Sequence, residues 1–455
     1  MTHPLSRTST ATPTQRNRRL LLTLPACALP MLSACGGGAD FIYDTEQALY
    51  VVGEPITPNK PKPPTSNPTV TAQSAPTFFV VPALPAGLTL NTKTGEISGT
   101  PTKLKRQGTH IVIAKNNKGI AETQLRITVT GRGAWIPAAT VPRARQAASI
   151  SPLPGGKLLV AGGQTDDAST NSTDIYDPST AAWNSAAPML YPRSLPVAVA
   201  LRGGRVLVLS GDLYTPDAGA AELYDPVANA WMAAGRMNEV RMSCTAHLLP
   251  SGKVLVVGGF NSDNVVLNSA EVYDPMTGAW TLLPTRLSAP RTRHAAVLLS
   301  DGKTLLVIGG AGVTTAELYK VDGSATKVIP YGIGGEFHQA VKLDDGSVLA
   351  ISGGSNSSRR FNPATSSWTT STMLSGERSS PTVTLLADGR VLVAGGTVSN
   401  TAEIYNPDVN RWTAAAPMAD ARQRAVAALL GDGSVLVVSG VTSDGVLDAS
   451  ERYIP

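Results

Sequence analysis

From Gly133 to its end the chain repeats one hydrophobic pattern. Seven short apolar runs stop at glycine: LLVAGG, VLVLSG, VLVVGG, LLVIGG, VLAISGG, VLVAGG and VLVVSG. Apolar runs without alternation predict strands buried on both faces. Each follows a turn ending in glycine: Gly155-Gly156, Gly203-Gly204, Ser251-Gly252, Asp301-Gly302, Asp345-Gly346, Asp388-Gly389 and Asp432-Gly433. Such pairs supply the positive φ of a two-residue hairpin. Later in the repeat comes an aromatic residue, then Asp-Pro or Asn-Pro, then Trp, as in AEVYDPMTGAW at Ala270–Trp280. The pattern recurs around Tyr176, Tyr224 and Tyr405 and, altered, around Tyr319 and Phe361. All six tryptophans, Trp135, Trp183, Trp231, Trp280, Trp368 and Trp412, occupy that register, with a single gap of 88 residues where one repeat lacks its copy. A period of this length predicts an all-β propeller, with seven hairpins giving seven blades. The last repeat stops at Tyr453-Ile454-Pro455 without its Trp strand. Residues 133–138, holding Trp135, are therefore expected to pair with 446–455 and close the ring, which removes free strand edges.

Ahead of the repeats, residues 49–131 read as a separate β unit. Thr77–Val81, Thr109–Ala114 and Glu122–Val129 are strand-like, with a turn at Asn116–Gly119. The stretch PALPAGLTLNTKTGEISGTPT, Pro82–Thr102, resembles the immunoglobulin-like (cadherin-like) domains of bacterial surface proteins. That resemblance implies a small β-sandwich acting as spacer or adhesive module. No run of acidic residues suited to calcium is seen in it, so it is read as a stalk.

Composition changes the picture mainly at the N-terminus. The formal net charge is +5, but Arg7, Arg16, Arg18 and Arg19 supply most of it, and residues 1–34 hold no acid. The remainder offers no basic face for nucleic acid. The arginines precede an apolar run, Leu20–Leu32, too short to span a bilayer. It ends in Leu32-Ser33-Ala34-Cys35, which resembles a bacterial lipobox. The resemblance implies a signal peptide at 1–34, lipidation of Cys35 and a tether at 35–48. With Gly36 after the cysteine, an outer-membrane lipoprotein is expected, facing the periplasm or the cell surface. Of three cysteines, only Cys244 would lie beyond the anchor, so no intrachain disulfide framework is expected.

The double glycine, spaced Tyr and spaced Trp resemble the kelch motif, in the branch near galactose oxidase, over Gly133–Pro455. The fold expected for the whole is thus a seven-bladed kelch β-propeller preceded by a small Ig-like β-sandwich. Galactose oxidases build a copper site from two tyrosines, two histidines and a cysteine. Beyond residue 35 this sequence has only His110, His247, His294 and His338, and nothing follows Pro455. No copper ligand can be carried over, and no cofactor is expected.

Two columns could carry chemistry. Eleven residues before the hairpin glycine stand Arg145, Arg193, Arg241, Arg291, Gly335, Arg378 and Arg422. One reading is a cationic ring around the axial channel, suited to carboxylates. The other is pairing with a second column, Asp174, Glu222, Glu271, Glu317, Glu403 and Glu451. Repeat five lacks both, with Gly335 and Arg359 in those places, which favours pairing. Three residues further on, Cys244, His294 and His338 share one level on adjacent blades, a weak candidate for a transition metal.

The loops after the double glycine are long in repeats one, two, three and seven and short in four to six. Loops on a rigid scaffold are where binding usually sits. The ligand-binding candidates are Asp166, Asp167, Asp212, Tyr214, Asp217, Phe260, Asn261, Asp263 and Asn264. The expected function is surface-anchored binding of a glycan or protein by a monomer. The alternative is a carbohydrate-active enzyme, resembling the kelch mutarotase of sialic acid, with Glu239, Glu336 or Glu377 as acid or base.

Overall fold

The computed structural model describes residues 41–62, 75–117, 119–211, 218–372, 374–397 and 399–455. The expected signal peptide and Cys35 lie outside them, as do Asp212, Tyr214 and Asp217. The protein is a seven-bladed β-propeller preceded by an Ig-like β-sandwich.

The first domain holds β1 (Ile42–Tyr43), β2 (Gln47–Val51), β3 (Pro61–Lys62), β4 (Thr77–Val81), β5 (Leu88–Leu90), β6 (Ile97–Gly99), β7 (Lys105–Asn116) and β8 (Gly119–Thr130). Four of them form one sheet in the order β2-β8-β7-β4, while β1 pairs with β3 and β5 with β6. Along β8, Leu125, Ile127 and Val129 alternate into a core with Val112 and Ile97. Phe41 and Tyr43 belong to the same core, Tyr43 being 2% exposed. Residues 41–48, read from sequence as tether, are therefore part of the domain. Their aromatic side chains bury against Phe78, with the Phe41 and Phe78 rings edge to face at 5.9 Å.

Each blade is a four-stranded antiparallel sheet, and the seven inner strands touch one another in cyclic order. The second strand of every blade is buried along its whole length, as in Val254–Val257 and Val435–Val438. Covering each such Val or Leu contributes roughly 1.5–3 kcal/mol. That is why these runs do not alternate. The hairpins differ from the two-residue expectation. Gly252 donates its N–H to Leu249 O at 2.9 Å, and the Leu249 N–H reaches Lys253 O at 2.8 Å. A turn over three residues with glycine last, at φ 86°, is the three-residue hairpin with a bulge. All seven hairpin glycines have positive φ.

The aromatic columns hold blade to blade. Each Trp ring tilts on the Tyr or Phe across from it at 4.9–5.2 Å. In all but Trp368 the indole N–H then reaches the preceding blade, as Trp183 does to Ala139 O at 3.0 Å, Trp231 to Ala187 O at 2.8 Å and Trp280 to Ala234 O at 2.9 Å. The seventh sheet joins the two ends of the propeller. Ser450–Ile454 pairs with β9 (Ala134–Ala138), setting Tyr453 opposite Trp135.

The Ig-like domain sits against the face of the propeller that carries the hairpins. The Gln47 amide donates to Thr180 O, in the Asp-Pro turn of blade one. A cavity of about 240 Å³ lies between Leu49 and Val51 on one side and Asp388, Asp432 and Pro455 on the other.

Candidate binding face

The opposite face is built from the loops after the double glycine and the links that enter each blade. The two are bonded to each other: Gln146 and Gln164 exchange backbone hydrogen bonds at 2.9 Å, and Arg291 N–H reaches Leu267 O at 3.0 Å.

The six column arginines are not a channel ring. All are buried and ion-paired inside their own blade: Arg145 with Asp174, and Arg193–Glu222, Arg241–Glu271, Arg291–Glu317, Arg378–Glu403 and Arg422–Glu451 at 2.7–2.8 Å. Each guanidinium also donates to backbone carbonyls of the glycine turn or the loop, as Arg241 does to Gly258 and Ser269. The five glutamates in turn accept an N–H of the link, Asn238 on Glu271 at 2.8 Å for example. With nearly every direction used internally, the Nε of Arg378 and of Arg422 excepted, these arginines fasten link to loop, and their burial closes them to ligands.

Cys244, His294 and His338 do not converge. Each fills its own seam against the glycine turn of the preceding blade. A Cβ on Gly258 would lie 2.8 Å from His294 Cε1, and one on Gly309 only 2.5 Å from His338 Nε2. Glycine is required at 258 and 309 because these two histidines pack on it. Among the described residues no group of three His, Cys, Asp or Glu could hold a metal, so Cys244, His294 and His338 do not form the metal site their shared level suggested. The repeat tyrosines are spent in blade packing, and among the described residues no copper donor set of the galactose oxidase kind comes together. Burial pushes the Cys244 thiol up to about 11.

Burial also lowers His247 to about 4, and burial with the Arg291 charge lowers His294 to about 3. Both are neutral when folded and would bind protons when unfolded below about 6.5. Their contribution is therefore full above that pH and lost as pH falls toward 4 and 3. Glu317 acts in the same direction at lower pH. Its burial is outweighed by the Ser288 N–H and Arg291, which hold its pKa below the usual carboxylate value. The thermal midpoint is expected to drop steadily from pH 7 to pH 5, with a shallower slope in His247→Leu. An unchanged midpoint over that interval would contradict the burial argument.

The side chains that do surround the channel mouth form a third column, missed from sequence. Ala147, Leu195, Ser243, Arg293, Phe337, Ser380 and Arg424 all have φ between 50° and 56°. Left-handed backbone is costly for such residues. It is offset by hydrogen bonds that run from blade to blade around the axis: Arg293 N–H to Ser243 O, Phe337 to Arg293, Arg424 to Ser380 and Ala147 to Arg424, at 2.9–3.1 Å. Arg293 lies over the Phe337 ring at 5.0 Å and pairs with Glu336. Arg424 is exposed and reaches Gln146 Oε1 at 3.4 Å. The mouth cations are thus two residues along the chain from the predicted arginines. The column varies from Ala to Arg, so only backbone geometry unites it.

Of the loop candidates, Asp166, Asp167, Asp263 and Asn264 are exposed. Asp166 accepts the Val446 N–H at 3.2 Å, tying the loop of blade one to that of blade seven. Asn261 is a turn former whose Oδ1 accepts the Asp263 and Val265 N–H groups. Phe260 bridges to Met242 and is half-buried beside the mouth. Glu239 is held by Arg241 at 2.9 Å and by the Ser269 hydroxyl, whereas Glu377 is exposed.

The kelch motif family matches residues 153–190, 241–286 and 378–419, and the family described as "Putative Ig domain" matches 40–131. No curated protein matches the chain. Among solved structures, a fungal alcohol oxidase of the AA5 family, in complex with copper, is similar over 71% of this chain and 76% of its own, with TM-score 0.60 and 17% identity. YjhT is similar over 69% of this chain and 95% of its own, with TM-score 0.47 and 12% identity. Such likeness to the oxidase shows a common fold alone.

Proposed function

Starting from a seven-bladed kelch propeller that carries an Ig-like domain, we propose that this protein binds a glycan or a protein ligand on its loop face. In this reading it is lipid-anchored at Cys35 in the outer membrane, and the Ig-like domain is the stalk. The observation that carries the reading is the mouth column. A ring of left-handed backbone fixes Arg293, Phe337 and Arg424 at the channel entrance, with Glu336 held by Arg293. A cation stacked on an aromatic ring beside a carboxylate offers both charge and a flat apolar surface. Beside it stand Phe260 and the polar tips Asp166, Asp167, Asn261, Asp263 and Asn264. The Ig-like domain occupies the other face and leaves this one open.

A glycan array and a pull-down with the whole chain test this reading. Retention of a ligand without conversion is expected, weakened at least tenfold in Arg293→Ala/Phe337→Ala, the loss of one well-placed polar and one aromatic contact. Turnover abolished by Glu336→Gln would establish the carbohydrate-active enzyme instead. Neither retention nor turnover would reject both readings.

A further inference from the structure

Blade five lacks the buried ion pair that every other blade keeps and puts an arginine in the acid's place. Across the six other sheets an acid on the third strand faces the incoming link, accepts its N–H where one is available, and neutralises the column arginine. In blade five that arginine is Gly335, and the acid's place is taken by Arg359. The register is the same, with Arg359 opposite Ala350 as Glu271 is opposite Val256 and Glu403 opposite Val393. The polarity of the contact to the link is inverted as well. Where a glutamate would accept an N–H, Arg359 donates through Nη1 to Tyr331 O.

That leaves a guanidinium with no carboxylate partner among the described residues. Its Nε is buried and reaches no acceptor there, and Nη2 makes no hydrogen bond among them. Nε and Nη2 form one straight edge of the guanidinium, the edge that takes a carboxylate with two parallel hydrogen bonds. Gly332 stands against the group. A Cβ there would be 3.5 Å from Nη1 and 3.8 Å from Nη2, so the absent side chain leaves the approach uncovered. The loop of this blade, Ser355–Ser358, is short, and Arg359 is only partly buried.

The neighbours carry further unmet polarity. Tyr331 lies against Arg359, with the ring centroid 6.0 Å from Cζ, against His338 at 5.8 Å and against Trp368 at 4.8 Å. The Tyr331 hydroxyl, both His338 ring nitrogens and the Trp368 indole nitrogen are buried without partners among the described residues. Trp135, Trp183, Trp231, Trp280 and Trp412 all place their indole N–H on an acceptor. Native folds rarely leave buried polar atoms unpaired, and a cluster of them calls for a reason.

We infer that Arg359 is a binding site for the carboxylate of a small organic acid, placed in the seam between blades four and five. One uncompensated positive charge on a planar fork fits a planar monoanion better than a tetrahedral dianion. The bound carboxylate supplies the negative charge that Asp or Glu supplies in the six other blades. The site uses none of the channel-mouth side chains and holds whether or not the channel mouth binds a ligand.

The test is isothermal titration of the whole protein with acetate, D-glucuronate and D-glucose, and with sulfate for comparison. Acetate and D-glucuronate are expected to bind one to one, and D-glucose not at all. Tighter binding of D-glucuronate than acetate would show that the remainder of a sugar acid is read too. Equal binding would show that the carboxylate alone is read. Arg359→Gln should weaken both at least tenfold, the loss of a charge-assisted pair of hydrogen bonds. Arg359→Lys, which keeps the charge without the fork, should recover part of that loss and guard against a folding defect in the glutamine variant. No binding of either acid, sulfate preferred over acetate, or unchanged binding in Arg359→Gln would each overturn the assignment. Loss in Arg293→Ala with retention in Arg359→Gln would move the carboxylate to the channel mouth and overturn it as well.

Discussion

Replacing Arg291 by alanine is expected to cost the propeller about 3–5 kcal/mol, the range for breaking a buried ion pair by removing one partner. Both side chains of the Arg291–Glu317 pair are fully buried. The guanidinium makes five hydrogen bonds: Nε and Nη2 to Glu317, Nη1 to Gly309 O and Thr315 O, and Nη2 to the Thr315 hydroxyl. Without it the Glu317 carboxylate keeps the Ser288 N–H and the Thr326 hydroxyl, each at 2.9 Å. That leaves a buried charge with two hydrogen bonds and no counter-ion. The link and loop of blade four are also released from each other. The double variant Arg291→Met/Glu317→Leu should be less damaging than Arg291→Ala alone, because the desolvation penalty of both ions disappears with them. Urea unfolding read by tryptophan fluorescence decides the matter. A loss below about 1 kcal/mol in Arg291→Ala would mean that the pair is solvated like a surface bridge.

Trp135→Ala is expected to cost about 3 kcal/mol, the low end for removing a large aromatic side chain from a core, since Trp135 is only partly buried. The ring lies 5.1 Å from Tyr453, and its N–H donates to Ala416 O at 2.7 Å. Trp135 thus bonds β9 both to the end of the chain within its own sheet and to blade six. Trp280→Ala removes similar contacts but leaves its strand covalently continuous with both neighbouring strands of the propeller. The two variants should therefore differ in kind. On heating, Trp135→Ala should aggregate earlier and more steeply with protein concentration, because a loosened β9 uncovers the edge of Ser450–Ile454. Equal aggregation of the two variants, followed by light scattering, would show that β9 does no more than any other outer strand.

What could be read from the sequence is what repeats as side-chain chemistry. The blade count follows from the glycine-ended apolar runs, and the Tyr and Trp columns follow from their spacing. Pairing of the arginine and acid columns was legible because repeat five loses both at once. Features that repeat only as backbone were not legible. The mouth column passes through Ala147, Leu195 and Phe337 with one conformation and no common chemistry. The three-residue hairpin was read as two because glycine fixes the sign of φ and not the length of the loop. Phe41 and Tyr43 were placed in the tether because a two-residue strand has no periodicity to detect. The seams filled by His294 and His338 became visible only when Gly258 and Gly309 were seen beneath them.

The seat of the Ig-like domain on the hairpin face has a mechanical consequence. β8 ends at Thr130 and β9 begins at Ala134, so few residues separate the sandwich from the strand that closes the ring. Tension applied through the N-terminal segment would enter the propeller at its closure, where the ring has no covalent continuity. The Gln47–Thr180 contact and the Arg132–Glu54 ion pair lie in parallel with that path. They share the load until the sandwich lifts away. After that the five residue pairs between β9 and Ser450–Ile454 bear it, with the Gly133–Ile454, Val141–Asp448 and Trp135–Ala416 bonds. The seam that completes the circle is also the point at which a pulled molecule would begin to open.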